Sequence, residues 1–212
     1  MKAPLLMTGA EDRHERKKQM QHFSDREFTD LRYSASDKVA DMSFDNCTFR
    51  DCSFDTCTFE RCVFHDCTFI SCGFICNTAV NTDMRFCSFR RCMLLAMSFM
   101  SFVNDEYIRQ PVTSLEECRI SNCLFNDMSF PRYDFGGNQF SRCEFTECDL
   151  REAVFAGCSL GGSSFSNSDL RKADFRRAEG YVIDIFNNKL RGARFSTPEA
   201  LDLLAGLNIE ID

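Results

Sequence analysis

The chain has 212 residues, of which 44% are apolar and 27% are charged, and its formal net charge is −7. This balance is typical of a folded globular protein, and it argues against a disordered chain and against a simple nucleic-acid binder, which should be basic. The 14 cysteines suggest a secreted disulfide scaffold. However, the chain is long enough to bury a core without disulfides, and it shows no secretory signal and no 18-residue apolar stretch. We therefore expect a cytoplasmic protein with reduced thiols.

Residues 1–22 contain one short apolar cluster followed by a charged run from Glu11 to Lys18. We interpret them as an N-terminal tail and assign them no function. A repeating pattern begins weakly after the tail, at Phe23, Phe28 and Tyr33.

Bulky apolar residues then recur every five positions. One run extends from Phe44 to Phe99, and a second, displaced by one residue, extends from Leu115 to Phe175. The second run slips at Gly180 and resumes at Ile185, and 18 of the 23 phenylalanines lie on the two grids. A helix face repeats near 3.6 residues and a strand face every two, so neither element explains this period. A chain that turns a corner every five residues, with one large side chain inward on each side, does explain it.

The position two residues before each bulky residue is a second, tighter inward position, which we call the slot. It holds 13 of the 14 cysteines, and alanine or serine at five positions of the second run: Ala153, Ser163, Ser168, Ala173 and Ala178. We expect the slot to accept small, weakly polar side chains. Cys76 alone lies outside it, on an outward apolar patch with Ile75 and Met93, and we expect the segment 103–113 or the tail to cover that patch.

Units such as Cys47–Asp51, Cys143–Glu147 and Ala173–Arg177 resemble the pentapeptide repeat, in which a small residue, a small polar residue and Leu or Phe precede two outward polar residues. The resemblance implies an all-β fold, a right-handed quadrilateral β-helix with four pentapeptides per coil. Coils would stack at about 4.8 Å, the usual inter-strand spacing. We assign residues 23–195 to this β-helix, because each coil needs its neighbours to bury a continuous core.

The displacement between the two runs falls at 103–113. We predict a projecting loop, since such loops often carry binding function. The alternative is an insertion that only adjusts the register. The predicted partner-binding residues are Asn104, Asp105, Glu106, Tyr107, Ile108 and Arg109.

In a four-sided coil every twentieth residue stacks on the same side. The side with Phe125, Phe145, Phe165 and Ile185 then presents four acidic residues and no basic one, whereas the next side presents six basic and three acidic residues. We predict that the acidic face binds a partner, and the alternative is an ordinary solvated surface. Its residues are Asp127, Glu144, Glu147 and Asp184.

Residues 196–212 are predicted to form a C-terminal cap and dimerisation element. Thr197 suits the N-cap of a short helix, Pro198 its first turn and Gly206 its end, and residues 207–211 alternate like a short strand. The element either caps the end of the β-helix or pairs with a second copy in a homodimer. The predicted interface residues are Leu201, Leu204, Leu207, Ile209 and Ile211.

No catalytic constellation is visible. The three histidines are His14, His22 and His65, and none has a cysteine partner suited to nucleophilic catalysis. Columns of slot cysteines one coil apart are linear and do not converge as tetrahedral zinc requires. We therefore expect no enzyme activity, no metal and no cofactor.

The β-helix, the mid-chain loop and the C-terminal cap together resemble one branch of the pentapeptide-repeat family. This branch comprises the Qnr-type and mycobacterial fluoroquinolone-resistance proteins and the albicidin- and microcin-immunity proteins, and the segments Ile183–Asn188 and Ala193–Ala200 look most like the albicidin-resistance member. The resemblance implies a homodimeric DNA mimic that binds DNA gyrase or topoisomerase IV and protects it from antibiotics or peptide toxins. We expect no direct contact with nucleic acid, membranes or a small-molecule substrate.

One departure concerns the smaller loop that Qnr-type proteins carry early in the β-helix. Here only residues 34–38 could supply it, since the first grid is uninterrupted. The alternative function is an interaction scaffold unrelated to topoisomerases, because the repeat fold alone does not determine function.

Overall fold

The computed structural model describes residues 20–35, 37–103 and 111–207, without the side chains of residues 205 and 206. In these ranges the only helices are two 3₁₀ helices, Phe99–Phe102 and Glu199–Leu207. The strands are β1 (Gln21–Ser24), β2 (Glu27–Thr29), β3 (Arg32–Tyr33), β4 (Lys38–Asp45), β5 (Thr48–Arg50), β6 (Ser53–Asp55), β7 (Thr58–His65), β8 (Thr68–Ile70), β9 (Gly73–Ile75), β10 (Thr78–Val80), β11 (Asp83–Arg85), β12 (Cys87–Arg90), β13 (Met93–Leu95), β14 (Val112–Glu116), β15 (Arg119–Ser121), β16 (Leu124–Asn126), β17 (Gln139–Ser141), β18 (Glu144–Thr146), β19 (Ser159–Ser166), β20 (Asp174–Phe175), β21 (Glu179–Ile183) and β22 (Arg194–Phe195).

The strands pair in parallel with the strand one coil away. Phe44 lies opposite Phe64, and Phe125 lies opposite Phe145. A register of 20 residues with an inward residue every five positions means four sides per coil. The predicted all-β solenoid is therefore confirmed.

The chain divides into two compact units, residues 1–93 with 101–114 and residues 94–100 with 115–212. The first unit contains the strand series β1-β4-β7-β10, with β11 also on β7, and the series β2-β5-β8-β12-β14 and β3-β6-β9. The second unit contains β15-β17-β19, β16-β18-β19-β21 and β20-β22.

The core consists of stacked aromatic rings. In the second unit the ring of Phe155 lies 4.5 Å from that of Phe135 and 4.9 Å from that of Phe175, with interplanar angles of 11° and 9°. Each such pair contributes about 0.5–1.5 kcal/mol beyond the area it buries. In the first unit Ala79 pairs with Phe59 in the core, and the fully buried ring of Phe102 lies 5.9 Å from that of Phe59. Phe102 lies off the five-residue grid, which is why the sequence pattern missed it as a core residue.

Most corners place one residue in the left-handed backbone region. Within the described ranges, 24 non-glycine residues have φ between 47° and 61°, usually two positions after a core residue. Asparagine and aspartate tolerate this conformation better than most residues, but Thr56, Phe86 and Arg91 also adopt it. The backbone strain of these corners is therefore offset by the stacked core. Cys76 is one of the corner residues (φ 48°), which is why its thiol is exposed.

The strand register corrects the predicted start of the β-helix and the length of its first coil. Gln21 and His22, which we placed in the tail, belong to β1, because they pair with Met42 and Ser43. The first coil contains 21 residues rather than 20, since Phe28 lies opposite Phe49. The segment 34–38 thus adds one residue, and it turns where the Asp37 amide donates to the Ser34 carbonyl at 2.7 Å.

The predicted loop ends earlier than residue 113. The amide of Cys87 donates to the carbonyl of Pro111 at 3.0 Å, and β14 begins at Val112. Val112 and Thr113 therefore belong to the coil. The predicted loop residues 104–109 lie outside the described residues.

The second grid resumes two residues earlier than predicted. Ser159 lies opposite Glu179, but Phe165 lies opposite Ile183 rather than Ile185, because β19 bulges between Ser159 and Ser163. Gly161 and Gly162 form this bulge, and Gly180 packs directly against it: a Cβ on Gly180 would lie 3.1 Å from the Cα of Gly161. Only glycine fits this approach, since φ at Gly180 is also +75°.

The C-terminal helix lies where it was predicted, with 3₁₀ geometry. It begins at Glu199, and the amide of Ala200 donates to the carbonyl of Ser196 at 2.9 Å. The predicted strand 207–211 falls outside the described residues apart from Leu207. None of the helices in the described ranges is long and apolar enough to cross a membrane.

Candidate interaction surfaces

The slot residues form hydrogen-bonded columns that run from coil to coil. All 13 slot cysteines are buried, and each of eleven donates to the carbonyl of a core residue one coil earlier. The shortest of these bonds joins the Cys148 thiol to the Phe125 carbonyl at 2.9 Å. Burial raises the pKa of the Cys57, Cys62 and Cys148 thiols to about 12. These thiols are therefore neutral, and those of Cys62 and Cys148 donate hydrogen bonds in the core.

The slot side chain also accepts a hydrogen bond from the slot amide of the preceding coil. The Cys148 amide donates to Ser168 Oγ at 3.0 Å, and the Ser168 amide donates to Asn188 Oδ1 at 2.9 Å. A sulfur can take the same role, since the Cys72 amide donates to Cys92 Sγ at 3.4 Å.

Alanine occupies the slot only where this acceptor is not needed. The slot amides one coil before Ala153, Ala173, Ala178 and Ala193 belong to Tyr133, Ala153, Cys158 and Ala173, and each donates to the carbonyl three residues earlier within its own turn. The residue type in the slot therefore depends on the turn one coil earlier. This explains why the small slot residues vary among cysteine, serine, asparagine, threonine and alanine.

The acidic face is only partly assembled. Asp127 and Glu147 occupy successive coils of one corner column, with φ of 53° and 57°, and Glu144 projects from β18 on the same side. Glu144 and Glu147 are exposed and Asp127 is half-buried. Three of the four predicted carboxylates therefore lie together, and the exposed cation nearest in sequence is Arg142, at the preceding corner.

Asp184 lies two coils away from this cluster. It follows Ile183, and its carboxylate accepts a hydrogen bond from the Phe186 amide at 2.8 Å. The coil between contributes serines and an asparagine, Ser164, Ser166 and Asn167. Asp184 therefore stabilises its own turn, and the predicted face reduces to Asp127, Glu144 and Glu147.

The next two sides carry a ladder of ion pairs. Within three repeats an aspartate accepts two or three hydrogen bonds from the guanidinium group of the arginine two residues later, with shortest contacts of 2.6 Å. We call these pairs the Asp–Arg ladder: Asp149–Arg151, Asp169–Arg171 and Asp174–Arg176. The arginine hydrogen bonds hold the pKa of each aspartate below its ordinary value of 3.8. Of the six basic residues predicted on the side of Leu150 and Leu170, Arg151 and Arg171 belong to the ladder, and Arg132 and Lys172 pair with Glu152. The Asp-x-Arg spacing in the sequence is the signal that reveals the pairs.

An apolar groove lies at the C-terminal end of the second unit. It has a volume of about 540 Å³, and the side chains of Val182 and Phe186 on its wall are 57% and 70% exposed. Leu201 and Leu207 of the C-terminal helix are also exposed, and Leu204 is half-buried. The groove is lined by Tyr181, Val182, Ile183, Asp184, Ile185, Phe186, Asp202 and Leu203. Of the other predicted interface residues, Ile209 and Ile211 lie outside the described residues.

The outward apolar patch of the first unit is present. Val80, Phe86 and Met93 are 42%, 38% and 47% exposed, and Ile75 is half-buried beside the exposed Cys76. The tail and residues 104–110, which we expected to cover the patch, lie outside the described residues.

Comparison with known proteins identifies the repeat. Residues 148–179 match the sequence model of the family "Pentapeptide repeats (8 copies)". The chain therefore contains pentapeptide repeats and folds them into a parallel β-solenoid. No curated protein sequence matches the chain.

Several solved structures are similar to the chain. A trypsin-treated variant of QnrB1, a plasmid-mediated fluoroquinolone-resistance protein, is 18% identical, with a TM-score of 0.40, and the match covers 92% of this chain and 99% of that one. HetL from Nostoc sp. strain PCC 7120, involved in regulating heterocyst differentiation, is 11% identical over 84% of this chain and 86% of its own, with a TM-score of 0.43.

A pentapeptide-repeat protein of the Arabidopsis thaliana thylakoid lumen is 29% identical over 37% of this chain and 54% of its own, with a TM-score of 0.34. QnrB1 and HetL differ in role. TM-scores below 0.5 do not distinguish among them.

Proposed function

We propose that the protein binds DNA gyrase, or the related topoisomerase IV, in place of DNA, and thereby protects the enzyme from antibiotics or peptide toxins that act on it. The observation that carries the proposal is the cluster of Asp127, Glu144 and Glu147 on one side of a rigid stack of parallel coils. Duplex DNA presents regularly spaced negative charge, about one per 1.7 Å of axis. A stack with an acidic side can occupy a basic DNA-binding saddle through electrostatic complementarity.

The charge density of this side is much lower than that of DNA. The proposal is therefore mimicry of shape and of a charged stripe rather than of the full charge. The resemblance of the repeat, the interruption at 103–113 and the C-terminal element to the topoisomerase-protecting branch supports the same partner.

A second copy of the chain is the proposed occupant of the C-terminal groove. The exposed side chains of Leu201 and Phe186 are apolar groups that a two-fold partner would bury. Leu204 and Leu207 extend this surface along the helix. The aspartate variants Leu201→Asp and Leu204→Asp should give monomers by light scattering, and persistent dimers would place the interface elsewhere.

The function is tested by a supercoiling assay with purified gyrase, with and without a quinolone. The protein should restore supercoiling in the presence of the drug, and the variant Glu144→Lys/Glu147→Lys should bind gyrase more weakly. A contact ion pair contributes about 1 kcal/mol in water, so losing two weakens binding by about 30-fold, and the repulsion from the new lysines should weaken it further. Raising the salt concentration should weaken wild-type binding in the same direction.

The matched control is Glu117→Lys/Glu179→Lys, which changes the net charge equally at exposed positions outside the acidic cluster. An equal loss in both variants would refute the assignment of the acidic face. If micromolar protein has no effect on gyrase, the topoisomerase proposal itself fails, and an interaction scaffold for another protein replaces it.

A further inference from the structure

The last two coils of the second unit concentrate positive charge on two adjacent sides. These are the sides that carry Leu170 with Leu190 and Phe175 with Phe195. Seven exposed cations lie there against only two carboxylates, Asp169 and Asp174, in a chain whose net charge is −7. We call these cations the basic patch: Arg171, Lys172, Arg176, Arg177, Lys189, Arg191 and Arg194.

The patch arises because the last coil has basic residues at the positions where the Asp–Arg ladder has aspartates. In successive coils Asp149 lies opposite Asp169, which lies opposite Lys189. Where earlier coils read Asp-x-Arg, the last coil therefore reads Lys-x-Arg, and Arg191 has no aspartate two residues before it. The same reversal occurs on the next side, where Asp174 lies opposite Arg194.

Four patch cations lie without a carboxylate at salt-bridge distance among the described residues. They are Arg177, Lys189, Arg191 and Arg194, whereas Arg171, Lys172 and Arg176 have acidic partners. Backbone hydrogen bonds hold the last coil directly against the coil before it: the Lys172 amide donates to the Arg191 carbonyl at 3.1 Å, and the Leu170 amide donates to the Lys189 carbonyl at 2.9 Å. The coils therefore hold these like charges close together, and a bound polyanion would relieve their repulsion.

The composition of the patch favours phosphate over a protein surface. Protein interfaces depend on buried aromatic or aliphatic anchors, but the exposed large apolar side chains of the second unit, such as Val182 and Phe186, lie outside these two sides. Binding to a phosphate backbone needs only charge and hydrogen-bond donors. Five of the seven cations are arginines, whose planar guanidinium groups match phosphate geometry.

We propose that the basic patch binds the phosphate backbone of duplex DNA without reading its sequence. The site is separate from the acidic cluster and does not depend on the proposed binding of gyrase. The expectation of no direct nucleic-acid contact came from the net charge of the whole chain. Backbone binding depends instead on the cations that meet the phosphates, so an acidic chain can still carry such a site.

The test is fluorescence anisotropy of a labelled 20-base-pair duplex with the full chain and no topoisomerase. Four neutralised phosphates predict a slope of about −3.6 in a plot of log affinity against log salt. Affinity should therefore fall by about 150-fold between 50 and 200 mM salt. The variant Arg177→Gln/Arg191→Gln should reduce the slope to about −1.8.

Two controls match this variant. Arg119→Gln/Arg142→Gln removes two exposed cations outside the patch for the same change in net charge, and Asp149→Asn/Arg151→Gln removes one pair of the ladder at no change in net charge. Both should keep the wild-type slope, and circular dichroism verifies that all variants are folded. Absence of binding at 50 mM salt, or an equal loss in the first control, would overturn the proposal. Binding to polyglutamate as tight as that to DNA would overturn the choice of phosphate.

Discussion

Replacing Ser168 by alanine tests the rule that links each slot residue to the turn one coil earlier. Ser168 is 1% exposed and its hydroxyl accepts the Cys148 amide at 3.0 Å. The hydroxyl also lies 3.2 Å from the Phe145 carbonyl and 3.0 Å from the Ser166 carbonyl. Alanine removes one oxygen atom and leaves a buried amide without an acceptor. An orphaned buried group of this kind costs about 1–3 kcal/mol.

We therefore expect Ser168→Ala to lower the free energy of unfolding by about 2 kcal/mol, or the melting temperature by about 4–8 °C for a chain of this size. Ser168→Cys should recover most of the loss, since Cys92 already accepts an amide through sulfur elsewhere in the chain. The measurement is denaturant unfolding followed by circular dichroism, with the slope of the transition checked for equality among the variants.

Cys158→Ala is the matched control. The slot amide one coil earlier belongs to Asn138, and it donates to the Phe135 carbonyl within its own turn, so alanine orphans no amide. The Phe135 carbonyl also accepts the Asn138 side chain at 3.0 Å and keeps that partner. This variant should cost about 1 kcal/mol or less. The reasoning is refuted if Cys158→Ala destabilises as much as Ser168→Ala, or if Ser168→Cys recovers nothing.

Three further outcomes follow from the same structure. Cys76 should be the one thiol of the 14 that reacts rapidly with a maleimide in the folded protein, because the other 13 are buried, and fast labelling of a second thiol would contradict the slot assignment. Gly180→Ala should destabilise more than Gly137→Ala in thermal unfolding, since both have positive φ but only Gly180 would bring a Cβ to 3.1 Å from another backbone atom; equal costs would show that strain in φ alone decides. The aspartates of the Asp–Arg ladder have a pKa below 3.8 in the folded state, so their contribution to the free energy of unfolding is present above pH 3.8 and is lost as the pH falls below it. Replacing all three by asparagine should therefore flatten the loss of stability in acid. An unchanged dependence of the free energy of unfolding on pH would contradict this prediction.

The period of five and the composition of the slot are local properties, and both could be recognised in the sequence. A bulky residue such as Phe145 and a small one such as Cys143 recur at a constant offset, and only a chain that turns every five residues brings them all inward. The ion pairs of the ladder are equally local, since Asp149 and Arg151 are two residues apart. The acidic cluster was predicted in part, because Asp127 and Glu147 differ by one whole coil.

The remaining features depend on contacts between coils. Where the five-residue pattern becomes irregular, it no longer defines the register between one coil and the next. Ile183 replaces Ile185 in the core because a bulge at Gly161 and Gly162 shortens the spacing by two residues. Phe102 lies in the core although it is not on the five-residue grid, because the small residue Ala79 lies opposite Phe59. The basic patch is likewise invisible to net charge, since it exists only where the last coil stacks cations on the aspartates of the coil before it. The residue pattern therefore specifies the fold and its inward positions, whereas the stacking of the coils sets which surface residues meet.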